Sequence, residues 1–343
     1  MNIVLFLGAG FSRHFGMPVM TEFFSYARDS PRLKPEEHNL IRALILESRR
    51  ANSFVESSPK NLEDVLSLAV MRDRLGMQDS SRADQLATIL RKIYTTYQTE
   101  GAGYWGQFDI FKSFLGFDIR SGKAAHNLSI VTTNYDLNIE SALHRAGIAA
   151  NLGFSWVQEN CGNAVSHQNL YTARGGIPVF KLHGSANWYQ DGNDASVVRV
   201  DGRCVQMENF NPPTSFTLPY PCVNEYHAPS SPIIVPPSFL KPNLAEPLGS
   251  IWRGAAGALR QANQIVFVGY SFPPSDTEMR YFLASALSDN ADLERIRIVD
   301  PHADKIVARL RSAESRFGTH FRDFLAPQTN GWGEVRLTWE RSA

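Results

Sequence analysis

The sequence predicts an α/β protein built on a doubly wound parallel sheet, with a helical insertion after the first strand. Three observations carry that expectation. Short apolar runs at Ile3–Leu7, Ser129–Thr132, Pro178–Leu182, Ile265–Val268 and Ile296–Val299 are each followed by a glycine or a polar residue, as buried parallel strands commonly are. Apolar residues at three- and four-residue spacing fill the stretches beside most of them. Strands alternating with helices imply right-handed βαβ units, whose ligands bind beyond the carboxyl ends of the strands where the order reverses.

The first strand, 3–7, runs straight into Gly8-Ala9-Gly10, which opens a helix. Residues 36–48, 62–75, 82–99 and 105–117 read as helices, for example through Leu40 and Leu44, or Leu62, Val65, Leu66 and Ala69. They make residues 32–125 a helical insertion in a domain formed by 1–31 and 126–343. After strand 129–132, Asp136 can cap a helix with Leu137, Ile139 and Leu143 on its apolar side. Residues 150–180 are loop-rich up to strand 178–182. A hairpin is expected at 197–200 and 204–207 around Asp201-Gly202. Strand 232–235, helix 244–262, strand 265–268, helix 275–287, strand 296–299 and helix 303–314 follow. Val335–Trp339 reads as an edge strand.

The chain's 343 residues, 43% of them hydrophobic, suffice for one large domain or two modest ones. Lys+Arg and Asp+Glu balance at 34 each, so neither nucleic acid nor a membrane surface is indicated as a partner. The three cysteines, Cys161, Cys204 and Cys222, form no CxxC pair. That argues against a zinc site or a disulfide framework and fits a reducing compartment. The apolar run at 3–7 is too short for a signal-peptide core, and no stretch approaches the length of a membrane span. A cytoplasmic protein is expected.

Five polar motifs follow strand ends. Gly8-Ala9-Gly10 with Ser12 suits a phosphate approaching helix N-terminal amides; a tight turn without ligand fits the same residues, and Gly16 does not complete GxGxxG. Thr132-Thr133-Asn134-Tyr135-Asp136 offers a carboxamide with donor and acceptor, though Asn134 suits a turn and Asp136 a cap. Lys181-Leu182-His183-Gly184-Ser185 offers an imidazole for acid–base work; taken singly, such a histidine is more often structural. Val268-Gly269-Tyr270-Ser271-Phe272 places Gly269 and Ser271 where phosphate or ribose could sit. Val299-Asp300-Pro301 places an acid at a late strand end, for ribose or adenine or as a helix cap.

Taken together and in order, GAGFS with GMP (8–18), TTNYD (132–136), KLHGS (181–185), VGYSF (268–272) and VDP (299–301) resemble the sirtuin-like family of NAD-dependent enzymes, which have a Rossmann-like domain. The resemblance covers both flanks and the 129–190 block, and leaves out 32–125 and 190–230. It implies that Gly8, Ala9, Gly10 and Ser12 line pyrophosphate and ribose. It implies further that Asn134 holds an attacking water, that Asp136 faces the nicotinamide side and that His183 is the general base. Gly269 and Ser271 would take phosphate or the adenosine ribose, and Asp300 the adenosine end.

The departures are informative. Deacetylating sirtuins usually carry a four-cysteine zinc module, which three cysteines cannot build. Gly16-Met17-Pro18-Val19-Met20-Thr21 stands where they typically read GIPDFR. Their acyl-lysine groove motif is not recognisable, and Ile234-Val235-Pro236-Pro237-Ser238 and Lys241 stand there instead. The chain looks more like the bacterial sirtuin-like proteins of antiphage defence. That likeness implies an NAD+ glycohydrolase, with NAD as substrate and no zinc, yielding nicotinamide and ADP-ribose. An NAD-dependent deacylase and a non-catalytic NAD or ADP-ribose sensor remain open. So does a protein of the same fold class using another nucleotide or thiamine diphosphate. An NAD-destroying enzyme must be gated, so a homo-oligomer, or a partner such as a ring-shaped ATPase or another defence protein, is expected on 32–125. A lid or additional core packing is the alternative use of that stretch.

Overall fold

The computed structural model describes residues 1–13, 17–31, 33–51, 61–77, 81–100, 117–118, 123–124, 127–145, 150–153, 157–158, 176–190, 198–200, 232–235, 248–273, 276–312 and 325–328. Its strands in chain order are β1 Asn2–Leu7, β2 Phe117–Asp118, β3 Lys123–Ala124, β4 Asn127–Thr132, β5 Ala150–Asn151, β6 Val157–Gln158, β7 Ile177–Lys181, β8 Gly184–Gln190, β9 Val198–Val200, β10 Pro232–Ile234, β11 Gln264–Val268, β12 Arg295–Val299 and β13 Leu325–Gln328. Its helices are α1 Ala9–Arg13, α2 Phe23–Asp29, α3 Pro35–Ala51, α4 Leu62–Arg74, α5 Arg82–Glu100, α6 Asn138–Arg145, α7 Leu248–Arg260, α8 Thr277–Leu287 and α9 Ala303–Arg311.

Seven strands form one sheet in the order β13-β12-β11-β1-β4-β7-β5, and every neighbouring pair is parallel. This is the doubly wound, Rossmann-like arrangement. The chain steps from β1 outward through β4 and β7, then returns to the other side of β1 and steps outward through β11, β12 and β13. The reversal lies between β1 and β11, whose last paired residues are Leu7 and Val268. Continuous apolar runs make these strands because both faces are covered. Ile3 to Leu7 and Ile265 to Val268 are all buried, in one core with Ile251, Ala255 and Leu259 of α7, Met279 and Leu283 of α8, and Ile306 and Val307 of α9.

A second, four-stranded sheet has the order β10-β8-β9-β6. A separate core joins it to the helices through Phe23, Leu44, Leu66, Leu90, Tyr135, Ala186 and Ile234. That core also takes in Met17, Phe24 and Ala27, which precede residue 32.

Several sequence expectations change. Residue 117 is in β2 rather than in a helix, and 105–116 lie outside the described residues. β9 pairs antiparallel with β8 and parallel with β6; the other arm of the expected hairpin, 204–207, is outside the described residues. So is 335–339, whereas the observed edge strand is β13. Strand β8 and helix α2 were not anticipated. β8 reads Gly-Ser-Ala-Asn-Trp-Tyr-Gln, a mixed run without the apolar continuity that marks the parallel strands. Among the described residues no helix is long and apolar enough to cross a membrane.

Candidate active site

The reversal between β1 and β11 brings two glycine turns into contact. Gly8 donates its N–H to Val268 O and Gly10 to Gly269 O, both at 2.9 Å. A Cβ on Gly8 would lie 2.5 Å from Gly269 O, and one on Gly269 would lie 2.2 Å from the amide nitrogen of Phe11. Gly269 also has φ +61°, the left-handed region that glycine enters freely. The glycines are therefore required by the approach of one turn to the other. The N–H groups of Gly8 and Gly10 are already spent on the chain itself.

The loop after β4 hangs from this turn. Thr132 donates its hydroxyl to Leu7 O at 3.1 Å, and the Asn134 N–H donates back to Thr132 Oγ1 at 3.1 Å. Asn134 Nδ2 spends its two hydrogens on Gly8 O and Ser12 Oγ, each at 2.8 Å. Ser12 donates to Asp136 Oδ2 at 2.6 Å. The other carboxylate oxygen of Asp136 accepts the Asn138 N–H at the start of α6, at 3.0 Å. Asp136 thus caps the helix, as its position suggests, and also anchors Ser12. The series Asn134, Ser12, Asp136 fixes which way the carboxamide faces: its Oδ1 is the group left to meet a ligand.

Underneath, Lys181 at the end of β7 is 1% exposed and pairs with the fully buried Glu140 of α6 at 2.9 Å. Its ammonium also donates to Tyr135 O at 3.4 Å and to Asp136 O. Burial pushes the Glu140 carboxyl up, and the neighbouring Lys181 opposes that push.

Two residues on, His183 is 6% exposed. Its backbone is held from both sides: Leu182 donates to Thr132 O at 2.9 Å, and Val235 donates to His183 O at 2.8 Å. Trp252 Nε1 donates to Leu182 O at 2.8 Å. Gly184 follows with φ +81°, and a Cβ there would sit 2.0 Å from Ile233 O of β10. Glycine is therefore what lets β8 leave the histidine and pair with β10. The imidazole lies 6.2 Å from the Tyr135 ring, centre to centre.

These groups open on one cavity of about 150 Å³. Asn134, Asp136 and His183 line it with Ser12, Ala9, Gly269 and Ser271. A further wall comes from Pro18 and Met20, which precede α2, with Glu63 of α4 and Tyr94 of α5. Among the described lining residues there are three carboxylates, Glu63, Asp136 and Asp276, and no lysine or arginine. The phenols of Tyr94, Tyr135 and Tyr270 are raised well above the usual tyrosine range, first by burial and then by neighbouring negative groups, Asp136, Glu63 and Asp276 among them. Tyr270 donates to Asp276 at 2.9 Å, and Asp276 caps α8.

Of the residues singled out from sequence, seven line the cavity. Gly8 and Gly10 support it from behind. Asp300 stands at the carboxyl end of β12, outside the lining, where its side chain accepts the His302 N–H at 2.8 Å. Glu63, Tyr94, Tyr270, Asp276 and the Lys181–Glu140 pair had no assigned role. Lys181 was visible within KLHGS, and Glu140 as an acid among apolar positions of α6, but only their burial joins them.

Fold and site together define a dinucleotide-type α/β protein with a carboxamide and an imidazole at its switch point. A family model described as SIR2-like domain matches residues 128–319, over half of the chain, and the chain belongs to that family. Membership makes it an NAD-dependent protein in general terms. No curated protein sequence matches the chain. Among solved structures, it is similar to a Sir2 homologue mutant with ADP-ribose at 15% identity and TM-score 0.37, covering 97% of this chain and 88% of that one. It is also similar to a Sir2 mutant with a deacetylated peptide and 3′-O-acetyl-ADP-ribose, at 11% identity and TM-score 0.39, covering 98% and 90%. A Sir2 bound to an acetylated peptide matches at 12% identity and TM-score 0.36, covering 98% and 90%.

Proposed function

We propose that the chain is an NAD+ glycohydrolase that yields nicotinamide and ADP-ribose, acting as an NAD-depleting effector in bacterial antiphage defence. The observation that carries the reading is the meeting of Asn134 and His183 in one cavity beside the glycine turn. The charge of that cavity supports it. Among the described lining residues, three carboxylates and no lysine or arginine suit the cationic nicotinamide riboside end and the ribosyl cation that forms from it. Three cysteines in the whole sequence also leave no four-cysteine zinc module of the kind deacetylating sirtuins carry.

In the reaction, a water oxygen bonds to C1′ of the ribose as the bond from C1′ to the pyridinium nitrogen breaks. The bonding pair stays on nicotinamide, which leaves neutral, so no strong general acid is needed. Asn134 holds the water through Oδ1, its amide hydrogens being occupied. His183 takes the proton, from the water directly or through the ribose hydroxyl, and returns it to solvent. Ser12 and Asp136 keep Asn134 in place. Ala9 and the Gly269–Ser271 turn face the diphosphate and ribose, with Gly8 and Gly10 behind them, and Asp300 faces the adenosine end. The 32–125 stretch, inserted in a domain of 1–31 and 126–343, carries the gating surface for a homo-oligomer or for an ATPase or other defence partner.

The test is incubation with NAD+ and chromatography of the products. Wild type should release nicotinamide without added peptide. Asn134→Ala and His183→Ala should each lose about 100- to 10,000-fold in rate. Full activity in His183→Ala would remove that residue's role. NAD-dependent deacylation of a peptide, without turnover in its absence, would replace the reading with a deacylase.

A further inference from the structure

Asn134 and His183 come from different loops, after β4 and after β7, so something must set their spacing. We infer that Lys181, neutralised by Glu140, is a positioning residue that staples the end of β7, which leads into the histidine-bearing turn, to the asparagine-bearing loop. The inference rests on the proposed NAD+ cleavage, because it assigns a task within that site.

The geometry is specific. Lys181 is the last residue of β7, two positions before His183 in the turn that joins β7 to β8. Its ammonium has three hydrogens and three acceptors: Tyr135 O, Asp136 O and Glu140 Oε1. The first two are successive carbonyls of the loop that carries Asn134 and Asp136. The third is on α6, the helix that Asp136 caps. One cation therefore ties together the end of β7, the loop after β4 and the helix after that loop. All of this lies beneath the cavity, since Lys181 and Glu140 are almost fully buried and neither lines it.

Stability alone is a weak reason to keep such a pair. Replacing a buried ion pair by apolar side chains of similar volume is often neutral or stabilising. An apolar pair would fill the space but donate to no carbonyl. What it would lose is the clamp on Tyr135 and Asp136, and with it the register between carboxamide and imidazole. Misplacing a catalytic group by about 1 Å can cost on the order of 100-fold in rate.

The test uses the full chain with the double variant Lys181→Met/Glu140→Met, which avoids stranding a buried charge. It should melt near the wild-type temperature and bind ADP-ribose with similar affinity. Its kcat for NAD+ should fall roughly 10- to 100-fold while KM stays within about threefold. Hydrogen exchange of the backbone amides of residues 133–138 should speed up at least tenfold. A double variant with wild-type kcat and unchanged exchange would overturn the inference, as would a loss expressed only in KM. If wild type releases no nicotinamide, the proposed function fails separately. The exchange rates then decide on Lys181 by themselves: faster exchange confined to 133–138 upholds the staple, and unchanged exchange refutes it.

Discussion

Replacing Gly269 by alanine should be among the most damaging single-methyl changes in this protein. Two costs add. The residue sits at φ +61°, where an L side chain costs about 1–2 kcal/mol. The new Cβ would meet Phe11 N at 2.2 Å, Gly10 C at 2.4 Å and Gly10 Cα at 2.7 Å. All three are backbone atoms of the opposing turn, so no side chain can rotate away, and forced repacking adds about 1–3 kcal/mol. The expected loss is about 2–5 kcal/mol, read as the change in unfolding free energy from urea titration at unchanged slope. Gly257→Ala is the internal control. It lies within α7 with nothing within 4 Å of its added Cβ, so it should gain about 0.5–1 kcal/mol by removing backbone freedom from the unfolded chain. A Gly269→Ala protein within about 0.5 kcal/mol of wild type, the range of neutral surface changes, would refute the claim that the two turns are locked together.

Asp136→Ala should cost about 2–4 kcal/mol, because Ser12 loses the acceptor of a buried hydroxyl and α6 loses its cap; thermal melts and NAD+ turnover should fall together. The three buried tyrosines predict alkaline sensitivity. Tyr94, Tyr135 and Tyr270 have folded values raised above the ordinary value of 10.0, so above that pH the native state binds more protons than the unfolded one. Stability is then whole below about pH 10 and falls as pH rises beyond it, by about 1.4 kcal/mol per pH unit for each of the three. Urea titrations on either side of that pH check the slope, and tyrosinate absorbance should show these phenols ionising only on unfolding.

Five strands of the main sheet, β1, β4, β7, β11 and β12, were legible because burial on both faces demands uninterrupted apolar runs, and Ile3–Leu7 or Ile265–Val268 fit nothing else so well; the short edge strands β5 and β13 were not. β8 was not, because its residues serve a small antiparallel sheet and a helical core at once, and Trp188 beside Asn187 leaves no clean period. At the candidate site, Asn134, His183, Ser12 and Gly269 could be singled out from motifs because they lie in the segments that follow strand ends. Glu63 and Tyr94 could not: they arrive from α4 and α5, and only tertiary packing brings those helices over the cavity. Gly8 and Gly10 were singled out for a phosphate or a tight turn; the close approach that the structure describes at both is by the backbone of Gly269.

Strand β1 is made first and pairs last on one side. Its partner β11 begins at Gln264, so at about 5–20 residues per second the ribosome takes roughly 13–50 s to deliver it. Through that interval the most apolar segment of the chain can pair at most with β4, leaving a bare strand edge. The centre of the sheet, and the glycine contact that shapes the cavity, can close only once the C-terminal third has emerged. Premature termination anywhere before β11 would thus yield a product with an exposed hydrophobic edge and no site, a natural substrate for chaperones and proteases.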